Sequence, residues 1–351
     1  MSEYDCLWDF QNLYDAHKKA RRGKQGNAEV IQFEMRLAEN LVELSDALKN
    51  RTYRQGSYYT FMVHDPKDRV IHALRYRDRV VQHCICDNLL GPEIDRRLIY
   101  DNAACRTGKG TDFARNRLTG FMREHYRAYS AQGYFLKCDI RKFFDNIDHD
   151  ILKRKLLRVF HEEPVIELLN HIIDSYFTRP GKGLPLGNQT SQWFAIFYLD
   201  GLDRMVKEQL GVRHYTRYMD DFILLHHDKK ALQSYKTAIQ SFIESELELS
   251  YNDKTQIIPL SNGCEYLGFR FYMTENGKVV RKLCNKTKIR LKHRLKKLDR
   301  QYGNWEVNYD DIKQVLTSYR SHLSKGHTYR LQCSTLNHHV FRRLGQGEEF
   351  S

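Results

Sequence analysis

Arg213-His214-Tyr215-Thr216-Arg217, then Tyr218-Met219-Asp220-Asp221, then Phe222-Ile223-Leu224-Leu225: the fold turns on how this stretch is read. Two β-prone runs around a short polar turn make an antiparallel hairpin. Its tip is unusual, because hairpin turns favour Asn-Gly or Asp-Gly. Two adjacent aspartates with apolar flanks repel one another unless a cation neutralises them. Mg²⁺ suits such a place, since it binds through one or two carboxylates and completes its shell with water and substrate phosphates. The four residues alone leave a solvated acidic turn equally open.

A third carboxylate shifts the balance. Tyr134-Phe135-Leu136-Lys137-Cys138 reads as a strand ending in Asp139, about 80 residues upstream. A carboxylate at a strand end, beside a hairpin tip of the same sheet, builds a site for two metal ions. Such ions, roughly 3.5–4 Å apart, clamp the attacking and leaving oxygens of an in-line phosphoryl displacement. The competing role for Asp139 is a helix N-cap. Asp145, Asp148 and Asp150 read as helix-start residues ahead of Ile151-Leu152-Lys153.

Working outward, residues 4–50 read as helices, with Ile31, Phe33, Leu37, Leu41, Leu44 and Leu48 at helical spacing. A basic loop from Lys18 to Lys24 interrupts them at Gly23. Tyr58 to Val63 and Val70 to Leu74 flank the turn Asp65-Pro66-Lys67-Asp68-Arg69, a second hairpin. Arg79 opens a helix to Leu90. The glycine-rich segment Gly181 to Gly187 feeds a long apolar helix from Ser191. Residues 231–248 are helical, short β-runs follow, and from Arg281 the chain reads as helical and strongly basic. Helices interleaved with antiparallel strands predict an α+β fold with segregated layers.

Composition narrows the partners. Across 351 residues the formal net charge is +13, with 41% hydrophobic and 29% charged residues, so a large core is expected and wholesale disorder is not. A surface this basic attracts polyanions, nucleic acid foremost. No run approaches the roughly 18 apolar residues of a membrane span, and the N-terminus lacks a signal-peptide pattern; a cytoplasmic location is expected. The eight cysteines form no CxxC pair, and we read them as reduced thiols, mostly in the core. His226-His227 and His338-His339 are read as non-ligands, because adjacent side chains diverge on a strand.

The order of these blocks resembles a reverse transcriptase over about residues 10–330. Asp139 through Phe144 is similar to the first palm motif, and Gly183-Leu184-Pro185-Leu186-Gly187-Asn188-Gln189-Thr190-Ser191-Gln192 to the template-and-dNTP helix motif. Tyr218 to Asp221 resembles the catalytic box, Leu249 to Lys254 the next palm motif, and Tyr266-Leu267-Gly268-Phe269 the primer-grip hairpin. The resemblance implies a right-hand polymerase with three parts. These are N-terminal helices and fingers (1–133), a palm (134–275) with inserted fingers helices at about 150–185, and a helical basic thumb with C-terminal tail (276–351).

The same resemblance implies site roles. Asp139, Ile140, Asp220 and Asp221 would hold two Mg²⁺ ions, with Mn²⁺ as a substitute, the three aspartates being catalytic. Phe144 would stack under the incoming sugar and clash with a 2′-hydroxyl, although a core role suits any phenylalanine. Lys67 and Arg69 would hold the triphosphate, with Gln189 and Lys254 also at the dNTP. Arg106 and Lys109, in a segment similar to one that contacts template, would bind nucleic acid. So would Lys286, Lys288, Arg290, Lys292 and Arg294. Between residues 281 and 298 nine Lys or Arg residues occur with no acid, over an apolar stripe of Ile289, Leu291, Leu295 and Leu298. Such a helix can dock while laying charge along a phosphate backbone. The Lys18–Lys24 loop is a second candidate RNA contact.

Leu186-Gly187 followed by Ser191-Gln192 departs from the Gln-Gly and Ser-Pro of group II intron and retron enzymes. That departure resembles the enzymes of diversity-generating retroelements, as does Arg77-Asp78-Arg79-Val80-Val81-Gln82-His83. The implied partners are an RNA template or structured non-coding RNA, dNTPs, the cDNA product and an accessory protein. Antiviral-defence reverse transcriptases share the core and form the alternative, with template-independent synthesis and a binding-only scaffold behind them. With 80 or so residues after the primer-grip motif, a helical thumb is expected there and an RNase H domain, an integrase or a sizeable endonuclease is not.

Overall fold

The computed structural model describes residues 2–64, 68–337 and 339–343. Near the N-terminus lie helices Asp5–Trp8, Phe10–Ala20, Ala28–Met35 and Leu37–Lys49. Asp9 and Asn27 start two of them, their side chains accepting from the Asn12 and Glu29 amides. Leu41, Leu44 and Leu48 are buried as their spacing requires, but Ile31 is 47% exposed. Val30 and Phe33, three residues apart, take the buried stripe there instead.

Among the described residues nine strands form three sheets. β1 (Tyr59–Val63) and β2 (Arg69–Ala73) pair antiparallel, with Val63 opposite Arg69. Asp65, Pro66 and Lys67, and with them one expected dNTP ligand, lie outside the described residues. β3 (Tyr134–Asp139), β4 (Tyr215–Tyr218), β5 (Asp221–His226) and β6 (Gln256–Pro259) make a four-stranded sheet in the order β4-β5-β3-β6. β7 (Cys264–Tyr266), β8 (Phe269–Met273) and β9 (Val279–Leu283) form a three-stranded antiparallel sheet.

β9 corrects one expectation. Arg281 and Lys282 belong to a strand, and the basic helix starts later, spanning Asn285–Gly303. Val279 and Val280 are β-branched and buried, and they pair with Met273 and Tyr272. Cross-strand packing thus decides against a helix. Ile289 is a second correction. Leu291, Leu295 and Leu298 are buried, but Ile289 is 56% exposed. Two residues from Leu291 is about 200° around a helix, so it cannot share that face.

The chain divides into two interleaved compact units. The first is Met1–Gly110, Cys138–Phe222 and Gln233–Thr255; the second is Thr111–Lys137, Ile223–Leu232 and Gln256–Ser351. This division differs from consecutive parts. Helix Thr111–Tyr129, on the N-terminal side in the sequence reading, belongs to the second unit. There Arg115 donates to the Leu267 carbonyl at 3.0 Å and lies over the Phe269 ring, and the Tyr126 hydroxyl donates to the Glu275 carbonyl. In the first unit helix Gln189–Tyr198 is buried nearly all round, as the apolar run Trp193-Phe194-Ala195-Ile196-Phe197-Tyr198 in its second half demands. Phe160, Phe194 and Tyr198 anchor that core, each burial contributing about 1.5–3 kcal/mol. No disulfide links the eight cysteines, and Cys84, Cys86, Cys138, Cys264 and Cys284 are buried.

Candidate active site

β4 ends at Tyr218 and β5 starts at Asp221, so Met219 and Asp220 are the two loop residues of the hairpin. Met219 sits at φ +55°, in the left-handed region that glycine normally fills at this place in a hairpin. For a residue with a Cβ that costs roughly 1–2 kcal/mol. The turn is braced from behind, where the Arg217 guanidinium donates to the Met219 carbonyl at 2.9 Å.

Asp139 is the last residue of β3. Its amide donates to Thr255 Oγ1 at 3.2 Å, and its carbonyl accepts from the Asn252 amide at 2.7 Å. Ile140 bridges Tyr251, and the Arg141 amide donates to the Ser250 carbonyl. The Leu249–Lys254 block therefore runs alongside Asp139 and fixes where its carboxylate leaves the backbone. The N-cap role is not taken: helix Phe143–Asn146 follows Lys142 and has no side-chain cap. Asp148 does cap its helix, accepting from the Ile151 amide at 3.0 Å.

Asp220 is the electrostatic centre of the site. Burial pushes its carboxyl above the usual carboxylate range, and the charge of Asp139 pushes it further, while Arg217 and Arg69 pull it back. The Asp139 carboxylate and the Arg69 guanidinium of β2 thus both act on Asp220. Burial also raises the Cys138 thiol, with Asp221 and Asp139 among the charges adding to the rise. A carboxyl raised by burial and by a neighbouring carboxylate is what a divalent cation would relieve. Carboxylate and backbone oxygens, the donor types of Asp139, Asp220, Asp221 and the Ile140 backbone, are the kind a hard cation such as Mg²⁺ takes. Among the described residues no three His, Cys, Asp or Glu side chains form a ready-made metal cage. Water and substrate phosphates would have to complete the shell, as is usual for Mg²⁺.

Phe144 is half-buried beside the fully packed Phe143, which it meets edge-on at 5.6 Å. Its carbonyl accepts from the Leu184 amide, and the Ile147 carbonyl from the Gly183 amide, both at 2.8 Å. The glycine-rich loop thereby sets the height of the Phe144 ring. Gln189 Oε1 is buried without a hydrogen-bond partner, an acceptor left for a donor that is not protein. Arg69 and Lys254 are exposed.

The expected nucleic-acid contacts divide. Arg106 is committed to its own loop, bonded to the Asp95 carboxylate and to the carbonyls of Ile99 and Asn102. The Lys109 ammonium caps the Tyr100 carbonyl and lies over its ring. Asn102, Ala103 and Ala104 are buried, with Asn102 bridging Arg217. On helix Asn285–Gly303, Lys286, Lys292 and Arg294 are exposed and Lys288 and Arg290 half-exposed. Within the Lys18–Lys24 loop, Lys18, Lys19 and Arg21 pair with Asp15, Asp87 and Glu34. The His226 and His227 rings do not diverge; they lie 4.4 Å apart, because β5 ends at His226 and strand alternation stops there. His338 lies outside the described residues. No described helix is long and apolar enough to cross a membrane.

Two residues escaped the sequence reading, Arg217 and Asp203. Both are fully buried and bonded to one another. A cation in a strand flanked by tyrosines, next to the acidic turn, was the available signal.

Residues 64–271, more than half of the chain, match the family described as reverse transcriptase (RNA-dependent DNA polymerase). No curated protein matches the sequence. The structure is similar to telomerase from Candida albicans in complex with the TWJ fragment of telomeric RNA. There the TM-score is 0.51 at 12% identity, over 68% of this chain and 46% of that one. It is also similar to apo telomerase from Candida tropicalis truncated from its C-terminal domain, at TM-score 0.51 and 15% identity, over 66% and 55%. The chain spans about half the length of these telomerase chains. At such identity the likeness speaks for the fold, a right-hand polymerase palm in a mixed helix-and-sheet chain.

Proposed function

Since the chain belongs to the reverse transcriptase (RNA-dependent DNA polymerase) family, a nucleotidyltransferase family that generally uses divalent metal ions, we propose that it copies an RNA template into cDNA. The observation that supports this is the setting of Asp220, a buried carboxyl that Asp139 pushes up and that Arg217 and Arg69 pull back. Asp139, Asp220 and Asp221, with the Ile140 backbone, would hold two Mg²⁺ ions, Mn²⁺ substituting. When bound, the ions supply charge neutralisation at the attacking and leaving oxygens.

The protein's own groups do the rest. Arg69, with Lys67, neutralises and orients the triphosphate. Gln189 offers an acceptor to the nucleotide. The Phe144 ring, set by the Leu184 bond, excludes a 2′-hydroxyl and selects dNTP over rNTP. Lys254, exposed in the block that runs alongside Asp139, would give a proton to the leaving pyrophosphate. The exposed cations of helix Asn285–Gly303 hold the template–primer duplex by shape and backbone, which suits a hybrid with little readable groove sequence. The test replaces Asp220 and Asp221 by Asn and follows dNTP incorporation on an RNA template with Mg²⁺. Unchanged extension by the folded double variant would overturn the proposal.

Leu186-Gly187 and Ser191-Gln192 support the diversity-generating type, working with a structured RNA and an accessory protein in the cytoplasm. Antiviral defence with a dedicated non-coding RNA is the alternative biology. Sequencing the cDNA made in cells separates them: adenine-directed errors across a variable-gene repeat favour the first, copies of one fixed non-coding RNA the second.

A further inference from the structure

We propose that Arg217 is a positioning residue for the carboxylate turn, holding the Met219 carbonyl through a guanidinium that Asp203 locks in one orientation. The inference rests on the reading of Asp220 and Asp221 as catalytic carboxylates.

Arg217 and Asp203 are both 0% exposed. The pair is bidentate, with Nε to Oδ1 at 2.7 Å and Nη2 to Oδ2 at 2.6 Å. Asp203 Oδ1 also accepts from the Tyr215 hydroxyl at 2.6 Å, and Oδ2 from Asn102 Nδ2 at 3.3 Å. The carboxylate is saturated, and the guanidinium cannot rotate without abandoning several bonds at once. Its Nη2 donates further to the Ile196 carbonyl at 3.0 Å. The remaining nitrogen, Nη1, is aimed at Met219. The strand is pinned as well, since the Arg217 amide donates to the Asp101 carbonyl and its carbonyl accepts from the Ala103 amide.

A buried ion pair is poor evidence of stabilisation, because apolar residues of similar volume often serve as well. What they cannot supply is a fixed donor. Here one arm of a rigid fork points at the one carbonyl that sets a left-handed, strained turn. Met219 O immediately precedes the Asp220 amide, so its direction sets the peptide plane from which both carboxylates depart. A lysine at 217 would keep the charge opposite Asp203 and lose the second arm.

Two variants test this, Arg217→Lys and the double variant Arg217→Met with Asp203→Leu, which leaves no buried charge unpaired. Amide exchange of the peptide Tyr218–Phe222, read by mass spectrometry, reports the turn without activity. Single-nucleotide addition to a primed RNA template, at varied dNTP, reports the chemistry. For both folded variants, turn exchange is expected to quicken by about tenfold or more. kcat should drop by about tenfold or more while KM for dNTP stays within about threefold. Exchange and kcat within about twofold of wild type in either folded variant would overturn the proposal, as would a loss confined to KM. A wild-type chain that adds no nucleotide, with an exchange response in the variants, leaves the brace standing and removes the polymerase reading instead.

Discussion

Gly187 is where the glycine-rich loop touches the fingers hairpin, and Gly187→Ala gives a magnitude that can be worked from geometry. Its φ is +121°, which side-chain-bearing residues rarely adopt, so backbone strain costs roughly 1–3 kcal/mol. The new Cβ would lie 2.9 Å from Ile71 Cγ2 and 3.3 Å from the His72 carbonyl oxygen. Carbon atoms in good contact stand about 3.5–4.0 Å apart. Ile71 is β-branched and stiff at χ1, so its methyl cannot simply swing aside. The loop cannot retreat freely either, because the His72 amide donates to the Leu186 carbonyl at 3.0 Å. Overpacking of this kind adds about 1–3 kcal/mol.

The sum is roughly 2–6 kcal/mol, expected to lower the melting temperature of a chain this long by roughly 3–8 °C. Because β2 carries Arg69, the KM for dNTP should also rise, by roughly tenfold for a displacement near 1 Å. Gly211→Ala is the control, with φ +64° but open space around the new Cβ; it should cost about 1 kcal/mol and leave KM alone. Calorimetry and steady-state incorporation measure both. If Gly187→Ala melts with Gly211→Ala, the steric argument is wrong. If it melts lower but keeps KM, the hairpin does not carry a triphosphate ligand.

Asp220→Asn should abolish incorporation yet raise stability at neutral pH, in chelator, by on the order of 1 kcal/mol. The folded carboxyl has a raised pKa, so the fold keeps its proton longer than the unfolded chain does. Wild-type stability is then lost as pH rises from the ordinary aspartate value, about 3.9, through the folded value, and the gain from Asn should vanish below about pH 4. Denaturant melts at pH 3.5 and 7.5 check the sign; an equal gain at both would contradict it. Phe144→Ala should raise rNTP incorporation by at least about tenfold on the same template, because only the ring stands against the 2′-hydroxyl, and unchanged sugar selectivity removes that role. Replacing Lys286 and Lys292 by Gln should flatten the plot of log affinity for a primer–template against log salt, by about one unit for each phosphate no longer neutralised. An unchanged slope would take helix Asn285–Gly303 off the duplex.

The sequence carried the elements whose signal is local. Tyr134–Asp139 and the Tyr218–Asp221 hairpin were legible because β-runs and turns are written in consecutive residues, and the Asp148 cap because its partner is three residues away. Order along the chain also sufficed to name the fold, since motif blocks in one sequence leave few topologies. What depends on a distant neighbour was out of reach. Residues 281–283 look like basic helix until Phe269 to Phe271 are there to pair with them. That Asp95 and the carbonyls of Ile99 and Asn102 engage the Arg106 guanidinium could not be read from the sequence either. The Arg217–Asp203 pair is invisible in one dimension, because the cost of a charge depends on its surroundings: an arginine in water costs nothing, whereas a buried one must be met donor by donor. Sequence named candidate side chains for the chemistry; only the tertiary structure decided which of them are desolvated, which are already engaged, and which polar atoms, such as Gln189 Oε1, are buried without a hydrogen-bond partner.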